Sequence, residues 1–444
     1  MIKRKLLVII IVFYASVLGY SQNPDTTFYS GNYRVKVDSI KITGNKITDD
    51  YIILKELTFH VGDEVNPKIL NYNKERIYSL GIFTNVRLVP QKIGNLNYII
   101  IEVNEGWYIY PIPFITIKDN DWGKLSYGID LYLQNFRGVN EKIRLRAAFG
   151  YDPTYLISYF NPYIIKDKNI FLTAALSYGQ IKNKSGIAKL LYGGDFNQKI
   201  SGGGIQIGKR FGLYNKLFIS AGYSVIESPV FIKGISASDA RIDHLLSVGA
   251  GYIFDTRDLS QFPRSGTYLL TTLDFKGLNI DNINYRTLSF DIRKYFMLND
   301  DLSAKARLKT RTSFGGLVPY YDYSFLGFED RVRGYFFNER EGRTSYFASV
   351  EFNYPLIKDF NFNINFIPVL PKALFSYRIA VYAEAFADAG TALLKNEPVS
   401  LKKFDSGYGA GLTFLILPYS VFRIEFAIND LGKRQWILGY GVSF

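Results

Sequence analysis

Two patterns of hydrophobic and polar positions divide the chain. Between Tyr33 and Gly106 the period changes from one segment to the next. Val35, Val37, Ile40 and Ile42 alternate as far as Gly44-Asn45 and predict a strand. Thr48 then serves as the expected N-cap of a helix. Asp49 and Asp50 occupy its first turn, where carboxylates offset the partial positive charge of a helix start, and Ile52, Ile53 and Leu57 form its apolar side. Asn66-Pro67 marks a second helix, a capping side chain followed by the ring that is pre-set for the first helical position. Ile69, Leu70, Ile77 and Leu80 give that helix its apolar side, and Gly81 ends it. Strands from Phe83 to Pro90 and from Asn97 to Glu105, turning at Gly94-Asn95, complete a β-α-α-β-β unit over residues 33–106.

From Trp107 onward helical spacing disappears and strict alternation replaces it. Phe422, Ile424, Phe426 and Ile428 alternate with Arg423 and Glu425; Leu288, Phe290 and Ile292 with Ser289, Asp291 and Arg293. One such strand fits a soluble sandwich as well as a membrane barrel. The number of strands discriminates: residues 107–444 hold about sixteen segments, about 21 residues for each strand and its loop, and bacterial barrels carry an even number. A doubtful seventeenth segment, Ala188 to Asn197, is assigned to a long loop.

Composition agrees with a barrel. Aromatics reach 16%, with 35 Tyr, 35 Phe and 38 Gly, while mean hydropathy stays near zero, which rules out a bundle of membrane helices. There is no cysteine and only His60 and His244, so disulfides, thiolate metal sites and cysteine nucleophiles are excluded. No catalytic constellation is found. Gly203 to Lys209 spells a phosphate-loop string, but Arg210 stands where the Mg²⁺-ligating hydroxyl belongs. At the N-terminus Lys3, Arg4 and Lys5 precede an apolar run from Leu6 to Leu18 and the small residues around Ser21. This reads as a signal peptide over 1–21 followed by a linker over 22–32; a single anchoring helix is the alternative, though the run is short of the ~20 residues that would span a bilayer.

The net charge of +13 is concentrated in residues 107–444, which hold 40 basic and 30 acidic side chains. Lys305, Arg307, Lys309 and Arg311 share one strand face, placed inside the barrel. Two readings stay open: a cationic interior that attracts anionic segments, or ion pairs with facing carboxylates such as Asp291. Nucleic acid is not an expected partner.

The final segment alternates Trp436, Leu438, Tyr440, Val442 and Phe444 with Gln435, Ile437, Gly439, Gly441 and Ser443. A terminal aromatic with Gly439 five residues before it resembles the recognition signal of bacterial outer-membrane barrels; Ile437 departs from the polar residue usual there. Ile40-x-Ile42-x-Gly44-Asn45, Gly62, Leu80-Gly81-Ile82-Phe83, Val86 and Ile99-x-Ile101-x-Val103-x-Glu105 resemble a POTRA domain. Val332-Arg333-Gly334-Tyr335, in a long loop between strands ending near Phe314 and starting near Ser345, and Phe386-Ala387-Asp388-Ala389-Gly390 resemble two markers of the BamA/TamA superfamily.

The resemblance implies a mainly β protein: a 16-stranded antiparallel transmembrane barrel at 107–444, in the bacterial outer membrane, behind one α+β POTRA domain at 33–106 in the periplasm. It implies a loop fastened inside the barrel, Arg333 pairing with Asp388 and Glu351 or Glu384 nearby. Alternation agrees, because Glu384 and Asp388 share one face of their strand, as do Ser349 and Glu351 of theirs. The alternative is a loop arginine in water, with those carboxylates paired to other bases. The implied function is insertion or translocation of proteins without cofactor or enzymatic chemistry, by a specialised or accessory member. The partners would be membrane lipid, unfolded or nascent outer-membrane or exported proteins, and periplasmic accessory proteins at the POTRA domain. A secretion pore for one exoprotein, and a passive porin or surface anchor, are the rival functions. The first and last strands are expected to form a weak seam, with Gly439 and Gly441 poorly packed in it.

Overall fold

The computed structural model describes residues 33–117, 125–327, 330–335, 340–363, 376–418, 420–441 and 443. The expected signal peptide and linker, Val442 and Phe444 lie outside them.

Residues 33–106 form a three-stranded sheet backed by two helices. Ser39–Thr43 runs parallel to Leu96–Glu105, which pairs antiparallel with Phe83–Ile93. A short ribbon, Val35–Lys36 on Glu64–Val65, is added at the side. The second helix, Pro67–Tyr78, starts at Asn66, whose side chain accepts from the Ile69 amide at 3.0 Å. The first helix, Asp50–Leu54, corrects one expectation. Its cap is Asp49, whose carboxylate accepts from the Tyr51 amide at 3.0 Å. Thr48 is instead buried against the start of the barrel, giving its hydroxyl proton to Glu105 at 2.7 Å and accepting from Asn135 at 2.9 Å. A tertiary partner outcompetes the local cap, because a buried hydroxyl left unpaired is costly.

Sixteen antiparallel strands follow, each hydrogen-bonded to its neighbours in chain order from Ile109–Ile117 to Arg434–Tyr440. The segment Ala188 to Asn197 adds no strand: a short helix, Gly186–Tyr192, lies in the loop before Asn197–Phe211. The widest connection, between Ser303–Gly315 and Thr344–Asn363, carries a small ribbon of Ser324–Leu326 on Arg340–Gly342. Alternation sorts the faces. On Ser376–Leu393, Ala380, Tyr382, Glu384, Phe386 and Asp388 are buried inward, whereas Ala385 and Ala387 are exposed. Leu176, Ile219 and Leu308 on other strands leave more than 60% of their surface outside, an apolar coat suited to lipid.

The four basic residues of Ser303–Gly315 are all paired. Lys305 meets Glu351 at 2.9 Å, Arg307 meets Asp291 at 2.8 Å, Lys309 meets Asp330 at 2.6 Å and Arg311 meets Asp322 at 2.7 Å. The ion-pair reading of that face therefore holds.

The POTRA unit sits under the barrel and shares a core with it. Tyr78 and Phe83 belong to the same apolar cluster as Leu259, Phe262, Tyr382 and Leu417 of the barrel. Around that core Arg210 reaches Glu56 at 2.6 Å and Arg378 reaches Glu75 at 2.6 Å, while the Tyr72 hydroxyl donates to the Thr256 carbonyl at 3.0 Å.

Candidate functional site

Strand register builds the site. Arg307, Ser349, Asp388, Gly407 and Asn429 are direct cross-strand partners, one after the next, so they form a single inward-facing row around the wall. The long loop crosses this row from the end of the barrel opposite the POTRA unit. Val332 anchors it with Leu326, Tyr335, Phe347 and Ala392 in a small apolar cluster.

Arg333 then turns into the wall. Its Nε donates to Asp388 Oδ2 at 2.7 Å and its Nη2 to Oδ1 at 2.8 Å, the planar two-point contact that only a guanidinium makes. The Arg333 amide adds a third bond to Asp388 at 3.1 Å. Nη1 donates to Glu425 at 2.8 Å and to Glu351 at 3.4 Å. The guanidinium carbon lies 3.5 Å from the centre of the Phe386 ring, so the cation is also stacked. Arginine and carboxylates are all nearly dry: Arg333 is 6% exposed, Asp388 4%, Glu425 1% and Glu351 0%. Lys305 on Glu351 and Arg423 on Glu425 (2.8 Å) bring the cations to three against three carboxylates.

Glycine makes the close approach possible. A side chain at Gly407 would place its Cβ 1.9 Å from the Arg333 carbonyl oxygen. Gly334 holds φ at +99°, a left-handed angle that leaves its carbonyl free to accept from Asn429 at 3.0 Å. Its amide donates to Gln435 of the last strand at 3.2 Å, and the Tyr335 hydroxyl donates to Asp430. Gly390 lets Val332 and Leu326 lie flat on the wall.

Arg333, Gly334, Tyr335, Asp388, Glu351 and Gly390 are thus assembled in one place. Glu384 is not in contact with Arg333. It lies two inward positions from Asp388, with Phe386 between them, level with Gly411 and Asn353, and accepts from Thr413 at 2.5 Å. Gly439 faces the Arg423 guanidinium, and Tyr440 packs against Phe422 with rings 5.3 Å apart. Glu425, Gln435, Phe386 as the stacking ring, Gly407 and Asn429 were missed by sequence reasoning. A parity reading of Ser420–Asn429 would have put Glu425 inside, but nothing local gives its height relative to Arg333.

Comparison with known proteins decides the family. The Omp85 superfamily domain matches residues 135–444, and the POTRA family described as the surface antigen variable number repeat matches residues 35–106. The chain belongs to the Omp85 superfamily. As an Omp85 protein of the BamA/TamA type it is an outer-membrane β-barrel with its POTRA domain on the periplasmic side. The outer membrane protein assembly factor BamA of Nitratidesulfovibrio vulgaris (strain Hildenborough) is 30% identical over 78 residues, 18% of this chain. The chain matches only 10% of that relative's length. The crystal structure of BamA from Haemophilus ducreyi lacking POTRA domains 1–3 shares the fold, with a TM-score of 0.54 at 16% identity over 92% of this chain and 84% of that one. CdiB from Acinetobacter baumannii aligns with a TM-score of 0.45 at 16% identity, over 91% and 73% of the two chains.

Proposed function

We propose that this Omp85 protein assists the insertion or translocation of proteins at the outer membrane. The POTRA domain receives unfolded clients in the periplasm, and the barrel guides them into or across the bilayer. Arg333 holds the long loop at a fixed depth, bracing the strands next to the end of the sheet from inside. The observation that carries the reading is the open sheet: among the described residues no ladder joins Ile109–Ile117 to Arg434–Tyr440. A polypeptide therefore has a lateral way into lipid. A passive porin needs a lumen open from end to end, whereas here the Arg333 loop occupies one end and the POTRA domain sits under the other. The name of the N. vulgaris relative, an assembly factor, points the same way. The work is exchange of hydrogen bonds and burial of apolar surface, and needs no catalytic group.

The test has two arms. The chain reconstituted in lipid vesicles should speed the insertion of a small urea-unfolded barrel protein, read by protease protection. Its depletion in cells should lower specific barrels in the outer-membrane proteome. Unchanged insertion together with an unchanged proteome would refute the reading. Loss of a single secreted protein, with barrels intact, would select the secretion pore instead.

A further inference from the structure

At the end of the barrel opposite the POTRA unit, two sectors of the rim carry cations and settle them differently. Above the strands from Ile170–Lys182 to Ile242–Asp255, the loops supply their own carboxylates. Lys182 and Lys189 meet Asp195 at 2.5 and 2.8 Å, and Lys199 and Arg241 meet Glu227 at 3.7 and 2.7 Å. The sector of the last four strands is built otherwise. Register puts residues 394–404 and 430–433 at this same end, since Thr344 pairs with Leu393, Gly390 with Asp405 and Gly407 with Asn429. Residues 394–404 and 430–434 hold five basic side chains against two carboxylates, Glu397 and Asp430. Both carboxylates are already engaged, Glu397 by Lys403 at 2.8 Å and Asp430 by the Tyr335 hydroxyl. Lys395, Lys402, Lys433 and Arg434 are exposed, and among the described residues no carboxylate lies within ion-pair distance of them.

Apolar side chains stand between these cations. Leu401 is 88% exposed, Leu431 64%, Val399 59% and Leu394 44%. On the outer wall below, the ladders give an order of heights. Ile424 and Leu438 are cross-strand partners; one outward position higher are Phe426 and Trp436, with rings 5.0 Å apart; the next row is Tyr408, Ile428 and Arg434. The hairpin with Leu431 and Lys433 follows. Aliphatic, aromatic and cationic positions thus succeed one another toward the outside, the order in which a bilayer presents acyl chain, interface and phosphate. An acidic soluble partner would match the charges and leave the leucines in water. A neutral lipid would cover the leucines and leave the cations idle. A lipid whose headgroup carries several phosphates uses both. With the POTRA domain in the periplasm, this end faces the outer leaflet.

We propose that the rim formed by residues 394–404 and 430–434 binds a phosphorylated glycolipid of the outer leaflet. Lys395, Lys402, Lys433 and Arg434 hold its phosphates, and Leu401 and Leu431 enter the boundary between its headgroup and acyl chains. This goes beyond the insertion reading and needs only the membrane and the orientation.

The chain has three tryptophans, so in a Trp107→Phe, Trp122→Phe background Trp436, beside the Arg434 row, reports alone. This chain, in nanodiscs of phosphatidylcholine, is titrated with dansyl-labelled lipid A that keeps its phosphates, and energy transfer from Trp436 is read. Transfer should saturate, and lipid A stripped of phosphate should bind at least about tenfold more weakly. Each cation beside an anionic headgroup is worth about fivefold in affinity. Lys395→Gln, Lys402→Gln, Lys433→Gln and Arg434→Gln together should therefore weaken binding about a hundredfold or more. Leu401→Ser with Leu431→Ser should weaken it about tenfold. Lys189→Gln with Lys199→Gln, in the sector of paired cations, should change it less than about twofold. Heat-modifiable migration checks that each variant is folded, and the comparison of the two lipids on the chain with its rim intact decides by itself if the fourfold variant is not. Equal affinity for the two lipids, unchanged binding by the folded fourfold variant, or an equal loss in the Lys189 and Lys199 variant would overturn the proposal. Serines without effect would overturn it as well, leaving a site for soluble phosphate instead of lipid. Failure here is distinct from failure of the insertion reading: a chain that binds lipid A yet inserts nothing into vesicles keeps the rim site and loses the function.

Discussion

The barrel is held from inside at two places by the same chemistry, arginine on carboxylate, in two different solvents. At the loop, Arg333 meets three carboxylates and an aromatic face, beside a cavity of about 80 Å³. At the POTRA seat, Glu56 takes Arg76 and Arg210 beside a cavity of about 220 Å³ that Lys216 and Asp255 also border, while Glu75 takes Arg378 beside another of about 160 Å³. The larger space has room for more waters than the smaller. An ion pair deprived of one partner is ruinous where water cannot replace it and tolerable where it can. The loop is therefore built to stay, and the seat to let go. Between them runs a chain of contacts: Phe262 rises from the seat, Lys305 lies 4.2 Å from the centre of its ring, and Lys305 holds Glu351 beside Arg333.

The strongest challenge to this contrast is Asp388→Ala. It should cost ~3–5 kcal/mol, because it strands a dry guanidinium. Arg333→Ala should look alike, and the double variant little worse than either, read by heat-modifiable migration and by protease cleavage of the loop. Additive costs would show that the two side chains do not work as a pair. Gly407→Val tests the same loop without touching a charge. The new Cβ would collide with the Arg333 carbonyl, so the loop should become cleavable at a cost of about 1–3 kcal/mol. A protected loop in this variant would mean that the close approach is not what seats it. Arg333→Lys should fall between wild type and Arg333→Ala, since an ammonium cannot span both oxygens of Asp388.

Effects at the seat should be smaller and should depend on pH. Burial pushes the Glu75 carboxyl up, but Arg378 and Lys74 outweigh it and hold it down at about 2, below its ordinary 4.5. A carboxyl lowered on docking contributes fully above pH 4.5 and loses that contribution as pH falls toward 2. Protease access to the POTRA junction should therefore rise across that window, and Glu75→Gln should be loose already at neutral pH and flat below it. A junction equally protected at pH 2.5 and pH 7 would remove the electrostatic account. The smallest effect belongs to Lys166→Met. Its partner Asp49 and Lys166 itself are well exposed, so junction cleavage should not change measurably.

How far the sequence led depends on whether the deciding contact is local. Alternation along each strand was enough for the sixteen strands and for the inward face of Asp388 and Glu384, because side-chain parity is a property of the strand itself. Height was not legible. Glu384 and Glu425 share a face parity with Asp388 and stand level with each other across Gly411, whereas Asp388 is level with Gly407 and Asn429; only the cross-strand ladders give these heights. Gly407 and Asn429 joined the site for the same reason. Asn66-Pro67 was readable as a helix start, while Thr48 was misjudged as a cap because its partners, Glu105 and Asn135, are far away in the chain. The seat on Arg210 and Arg378 left no local mark at all.

The Arg333 contact also carries a timing. A ribosome makes Arg333 before Asp388, Glu425, Asn429 and Gln435, every one of which it or its neighbour Gly334 touches, and Glu351 too comes later. Until the last four strands are paired, the guanidinium has nowhere dry to go and the loop must stay outside. Seating of the loop is thus a receipt for a finished wall. A chain cut short before Glu425 would carry the signal of its own incompleteness as a cleavable loop on the outer surface.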